Sequence, residues 1–101
     1  MQANFVLNGN TATVALVGRF DFNAHREFRE TIDKALAEAA VRQLVLDFKN
    51  VDYIDSSALG MLMLLKEKAD STHRQVRLLN CTGATRQVLE IANFGKLFTM
   101  D

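Results

Sequence analysis

Proline is absent from this chain, and with it the commonest marker of a linker or an enforced break. No low-complexity tract, charge block or solenoid-period repeat takes its place, so residues 1–101 read as one domain. Cysteine is nearly absent. Cys81 stands alone, has no partner for an intramolecular disulfide, and reads as a small core residue in a chain kept in a reducing cytoplasm. Net charge is missing too: 12 basic and 12 acidic residues cancel and the pI is near 6.7. Without a basic surplus there is no general attraction for nucleic acid or anionic lipid. Met1 to Asn10 lack the basic and apolar regions of a secretory signal. The longest apolar stretch, Ala58 to Leu65, falls far short of the roughly 20 residues a membrane-spanning helix needs, so neither nucleic-acid binding nor membrane insertion is expected. His25, His73 and Cys81 are too widely spaced to suggest a metal site. No cofactor motif is present either, since Gly95-Lys96 has Glu90 where a phosphate-binding loop needs glycine.

What the chain has in quantity is apolar surface: 49% of it is hydrophobic, enough for one core without staples. Asn4 to Leu7 and Thr11 to Val17 are β-rich runs on either side of Asn8-Gly9-Asn10, a hairpin signal. From Ala24 to Ala40, Phe28, Ile32, Ala35, Leu36 and Ala39 recur at helical spacing among charged residues, with Glu30 placed to pair with Lys34. Leu44-Val45-Leu46 and Phe48 form a nearly continuous apolar run, the pattern of a strand covered on both faces. A second helix is expected from about Ser57 to Asp70, a strand over Gln75 to Leu79, a third helix over Ala84 to Ala92 and a last strand over Leu97 to Met100. The order β-β-α-β-α-β-α-β predicts an α/β fold, a mixed sheet with helices packed mainly on one face.

The segment Asp47 to Gly60 is expected to join the central strand to the second helix, the kind of connection on which functional groups sit. Ser56 and Asp55 are both suitable N-caps, because a short side-chain oxygen there can accept from a free N–H of the first helical turn. Ala58 and Leu59 stand where the Glu or Gln of a capping box would be. In the helix that follows, Ala58, Leu62, Leu65 and Ala69 form the buried stripe, while Gly60, Met63, Leu64 and Glu67 point away. Met63 and Leu64 thus predict an apolar surface patch close to Ser56, unless the helix is buried on two sides.

Leu44-Val45-Leu46-Asp47 followed by Val51-Asp52-Tyr53-Ile54-Asp55-Ser56-Ser57-Ala58-Leu59-Gly60 resembles the signature of the bacterial anti-sigma factor antagonists of the STAS domain family. Gly18-Arg19-Phe20-Asp21 is similar to the turn before that family's first helix. The stretch from Val88-Leu89 through Asn93-Phe94-Gly95-Lys96-Leu97-Phe98 is similar to its C-terminal end, so the likeness spans nearly the whole chain. Ala58 departs from the glycine more usual there. The resemblance implies a non-enzymatic partner switch. An anti-sigma factor with serine kinase activity would bind the unphosphorylated protein and release it on phosphorylating Ser56, and a PP2C-type phosphatase would restore the binding form. The implied docking residues are Asp21, Asp55, Ser57, Ala58, Gly60, Met63 and Leu64. The same family also supplies unphosphorylated accessory or scaffold subunits, for example of lipid-transport ATPases, which is the main alternative. A serine hydrolase built on Ser56 is the remote one, since no nucleophile elbow surrounds it and only His25 and His73 could act as base.

Overall fold

Gly9 lets the chain open with a hairpin. In the computed structural model, which describes residues 1–101, β1 (Gln2–Asn8) and β2 (Thr11–Phe20) pair antiparallel with Asn8 opposite Thr11. Gly9 occupies φ +62°, a conformation open to glycine at little cost, and so closes the two-residue turn. Beyond β2 every pairing is parallel, through β3 (Gln43–Ile54), β4 (Gln75–Leu79) and the two-residue β5 (Thr99–Met100), in spatial order β1-β2-β3-β4-β5. Each crossover steps to the next strand in the same direction. Right-handed connections then put α1 (His25–Leu36), α2 (Ser56–Ser71) and α3 (Gly83–Ile91) on one face of the sheet, as the element order predicts. None of these helices is long and apolar enough to cross a membrane.

The core lies between that face and the helices. Val14, Leu16, Leu44, Leu46, Phe48 and Leu78 point inward from the strands against Phe28, Ile32 and Ala35 of α1 and Ala58, Leu62, Leu65 and Ala69 of α2. Phe20 links the layers, its ring 4.9 Å from that of Phe28 and 6.2 Å from that of Phe48. The opposite face of the sheet is open: Asn4, Val6, Ala15 and Val17 are exposed and Val45 is half-buried. This corrects the expectation that Leu44 to Phe48 is covered on both sides. Val45 is simply an apolar residue on the solvent-facing side of an alternating strand.

Two boundaries also differ from the sequence pattern. α1 stops at Leu36 and leaves Ala39 exposed, because the chain must turn back to enter β3. Arg74 braces that turn, donating from Nε to the carbonyl of Val41 (2.9 Å) and from Nη2 to that of Glu38 (3.1 Å). The last strand shortens to two residues because Phe94–Lys96 form a 3-10 turn that packs Phe94 against Phe98, ring centroids 5.6 Å apart. The expected Glu30–Lys34 pair does not form. Asp33 instead takes Lys68 of α2 at 2.6 Å and Arg29 at 3.9 Å, tying the two helices together at their surface. On the other flank of α1, Glu27 accepts the N–H of Ala3 (3.3 Å) and Thr31 donates to its carbonyl (3.3 Å), covering the edge of β1 at that point.

Candidate functional site

The residues from Asp47 onward are strand, not connection. β3 continues to Ile54, and the link to α2 is Asp55 alone. The sequence hides this because two register shifts against β2, between Ala15 and Val17 and between Gly18 and Arg19, interrupt the alternation. Phe48, Val51 and Ile54 consequently point inward at intervals of three, not two. Asp47 supports the first irregularity, its Oδ1 accepting the Lys49 N–H (2.9 Å) and the Asn80 side-chain amide (3.0 Å). The bulges turn Tyr53 outward opposite Arg19 and bring the ends of β2 and β3 into step, with Ile54 opposite Phe20.

At that end the Asp55 N–H donates to the Phe20 carbonyl (3.2 Å). Its backbone is extended (φ −119°, ψ −179°), and its Oδ1 accepts the Ala58 N–H at 3.1 Å, so of the two candidate caps it is Asp55 that caps α2. Ser56 is left as the first helical residue, exposed, with its hydroxyl in no hydrogen bond to the protein. Neither histidine bonds it. His25 opens α1, and His73 lies beyond the far end of α2, whose 16 residues span about 24 Å. No triad is assembled. No group of three or more His, Cys, Asp or Glu side chains is placed to hold a metal ion.

The helix orients its side chains largely as its periodicity predicts. Met63 (39%) and Leu64 (62%) are exposed, Gly60 is open to solvent with nothing within 4 Å of where a Cβ would stand, and Ser57 is half-buried. Ala58 is fully buried, so its side chain is withdrawn from any docking surface and the list of contact residues is corrected by that one. Its methyl packs in the core, which is also why alanine serves there in place of glycine. Leu64 further forms one lip of a groove of about 360 Å³ between α1 and α2, floored by Phe28, Ile32, Met61 and Leu65.

Asp21 follows β2 directly. Its carboxylate accepts the Asn23 N–H (3.0 Å), capping the 3-10 turn Phe22–Ala24, and takes Arg19 Nε at 3.4 Å. That turn contacts α2. The structure therefore brings Asp21, Asp55, Ser56 and Ser57 to one end of the molecule, with Gly60, Met63 and Leu64 following along α2.

Three neighbours escaped sequence reasoning. Phe22 is 73% exposed next to Asp21, Tyr53 is 43% exposed, and the Arg19 guanidinium carbon lies 4.1 Å from the Tyr53 ring centroid. The Arg19–Tyr53 stack depends on the bulged register, for which a single sequence carries no signal. Phe22 had one: an aromatic between Asp21 and Asn23 in a turn has little apolar company. Cys81, after β4, is buried, and that burial pushes its thiol up to about 11, with Asp47 acting in the same direction and Arg86 against. It is a protonated core residue at neutral pH.

Comparison with known proteins puts a family to this geometry. The family model described as "Mlab, STAS domain" matches residues 3–99. A STAS-domain containing protein of Pseudomonas aeruginosa (strain UCBPP-PA14) is 42% identical over 91 residues, covering 90% of this chain and 88% of the relative. Among solved structures, the anti-sigma factor antagonist SpoIIAA in its unphosphorylated form superposes with a TM-score of 0.74 at 23% identity, over 98% of this chain and 86% of that one. The Bacillus cell fate determinant SpoIIAA in the phosphorylated form gives a TM-score of 0.74 at 21% identity, over 98% of this chain and 90% of that one.

Proposed function

The chain belongs to the STAS domain family, and we propose that within it the protein is an anti-sigma factor antagonist that works by partner switching at Ser56. The unphosphorylated form binds an anti-sigma factor with serine kinase activity, phosphorylation of Ser56 releases it, and a PP2C-type phosphatase returns it to the binding form. The observation that carries the reading is the free, exposed Ser56 hydroxyl, spared from capping by Asp55 and lying on the same side of α2 as Met63 and Leu64 about two turns further along. The existence of SpoIIAA structures in both unphosphorylated and phosphorylated forms supports it. This reading has the protein at work in the cytoplasm, with transcription as its output and no catalysis of its own.

Energetics favour release at the interface over unfolding. A phosphate brings about −1.5 to −2 charge at pH 7, and the N-terminus of α2 tolerates negative charge because its N–H dipoles point at it. A partner closing over Met63 and Leu64 would have to strip water from that dianion, and Asp21, Asp52 and Asp55 nearby add their own negative field. The direct test is the intact mass of the protein isolated from cells, with any added phosphate localised by fragmentation, followed by binding of Ser56→Ala and Ser56→Asp to the co-purifying kinase. Tight binding by Ser56→Asp would sink the reading.

A second reading keeps the docking surface and drops the switch. The apolar surface continues from Met63 and Leu64 into the α1–α2 groove, away from Ser56, as an unphosphorylated accessory subunit of a lipid-transport ATPase would use it. Absence of phosphate on Ser56 under all growth conditions would select this reading.

A further inference from the structure

We propose that Arg19 is the cation that holds the phosphate once Ser56 is modified, exchanging its contact with Asp21 for a forked one with the phosphoserine oxygens. The inference rests on Ser56 being the modified residue. Three observations lead to it. First, Arg19 is only half engaged: Nε meets Asp21 at 3.4 Å, a long contact, while neither terminal nitrogen has a hydrogen-bond partner and the side chain is 61% exposed. Second, the guanidinium carbon lies 4.1 Å from the Tyr53 ring centroid, a cation–π contact that favours its position at this end of the sheet. With Nε alone engaged, its two terminal nitrogens remain available as a fork, the geometry that suits a phosphate. Third, the strand ends are in step. Arg19 stands opposite Tyr53, Phe20 opposite Ile54, and the Phe20 carbonyl takes the N–H of Asp55, the residue immediately before Ser56.

The charge balance supplies the drive. Unmodified, this end of the molecule carries Asp21, Asp52 and Asp55 together with Arg19, while His25 and Arg26 begin α1. Adding a dianion at Ser56 leaves a large uncompensated negative charge at the end of the molecule where Arg19 is the cation on the paired strand ends. A phosphate offers three strong acceptor oxygens and about twice the charge of the Asp21 carboxylate, so the guanidinium gains by moving. Phosphorylation would then do two things to the docking face: install a dianion and withdraw Arg19 from any carboxylate that a partner had placed against it.

The test uses the full chain with phosphoserine genetically encoded at position 56, which makes it independent of whether cells phosphorylate that residue. A phosphorus NMR titration reads the second phosphate ionisation, ordinarily near 6. A guanidinium in contact favours the dianion and lowers that midpoint, whereas Asp21, Asp52 and Asp55 raise it. Arg19→Ala should therefore raise the midpoint by about half a unit or more, with Arg19→Lys between the two, since it keeps the charge and loses the fork. His25→Gln and Arg26→Ala are the controls for diffuse charge and should move it by no more than about 0.1 unit. An Arg19→Ala midpoint equal to that of Arg26→Ala, in proteins with unchanged circular dichroism, overturns the proposal. Finding no phosphate on Ser56 in cells would instead overturn the functional reading, leaving the titration to judge Arg19 alone.

Discussion

The two halves of β3 are built to different rules. From Gln43 to Asp47 the strand alternates and keeps an unbroken register with both neighbours, burying Leu44 and Leu46 completely. From Phe48 to Ile54 it pairs with β2 alone, through two register shifts, and its inward residues come at every third position. The regular half is flanked on both sides and holds the core together. The irregular half aims groups, turning Tyr53 out under Arg19 and delivering Asp55 to the start of α2. A strand can thus be rigid at one end and directional at the other, and a bulge is the device that changes one into the other.

The contrast can be broken most severely in the regular half. Leu46→Ala leaves a cavity beneath the helices with no solvent to fill it and should cost about 2–5 kcal/mol in a urea denaturation curve. Ser56→Asp, just past the irregular half, should do the reverse: less than about 0.5 kcal/mol in stability, but roughly a hundredfold loss of affinity for the kinase partner by calorimetry, near 3 kcal/mol. Cys81 tests the boundary electrostatically. Its thiol is raised from 9.0 to about 11 by burial and by Asp47. Above the unfolded value the unfolded chain loses a proton that the folded chain retains, so stability should fall between pH 9 and 11 by up to about 2–3 kcal/mol. Melting temperatures of Cys81→Ala over that range should show a shallower decline. Asp55→Ala removes the cap of α2 and should cost about 1 kcal/mol by chemical denaturation. Smallest of all, Asp47→Ala should cost about 0.5 kcal/mol, because its bonds to Lys49 and Asn80 are exposed. A larger loss there would mean that the bulge itself holds the fold, which would weaken the division between the halves.

Residues that carry a period or a turn were legible in advance. The hairpin at Gly9, the strand order of the elements, the single helical layer and the outward face of Met63 and Leu64 all follow from spacing that elementary geometry converts into direction. Illegible were features decided between distant segments. The continuation of β3 through Tyr53 depends on where β2 places its own irregularities, and Val45 reads as buried until the other side of the sheet is seen to be empty. Ala39 has the right spacing for the buried stripe of α1, but the helix ends before it, at a turn braced by Arg74 from 35 residues further along the chain. At the site itself Ser56 and Asp55 were equivalent caps on paper. Only the backbone, extended at Asp55 and helical at Ser56, distinguishes the residue that holds the helix from the one left free.

That division of labour between adjacent residues has a consequence in time. Because Asp55 secures the first turn of α2, the helix is complete without any bond from Ser56. In the proposed switch, no segment would have to nucleate or melt in either direction. Under that proposal the delay between modification and response would be set by how fast partners dissociate and enzymes act, and a train of brief signals could be followed without a conformational lag.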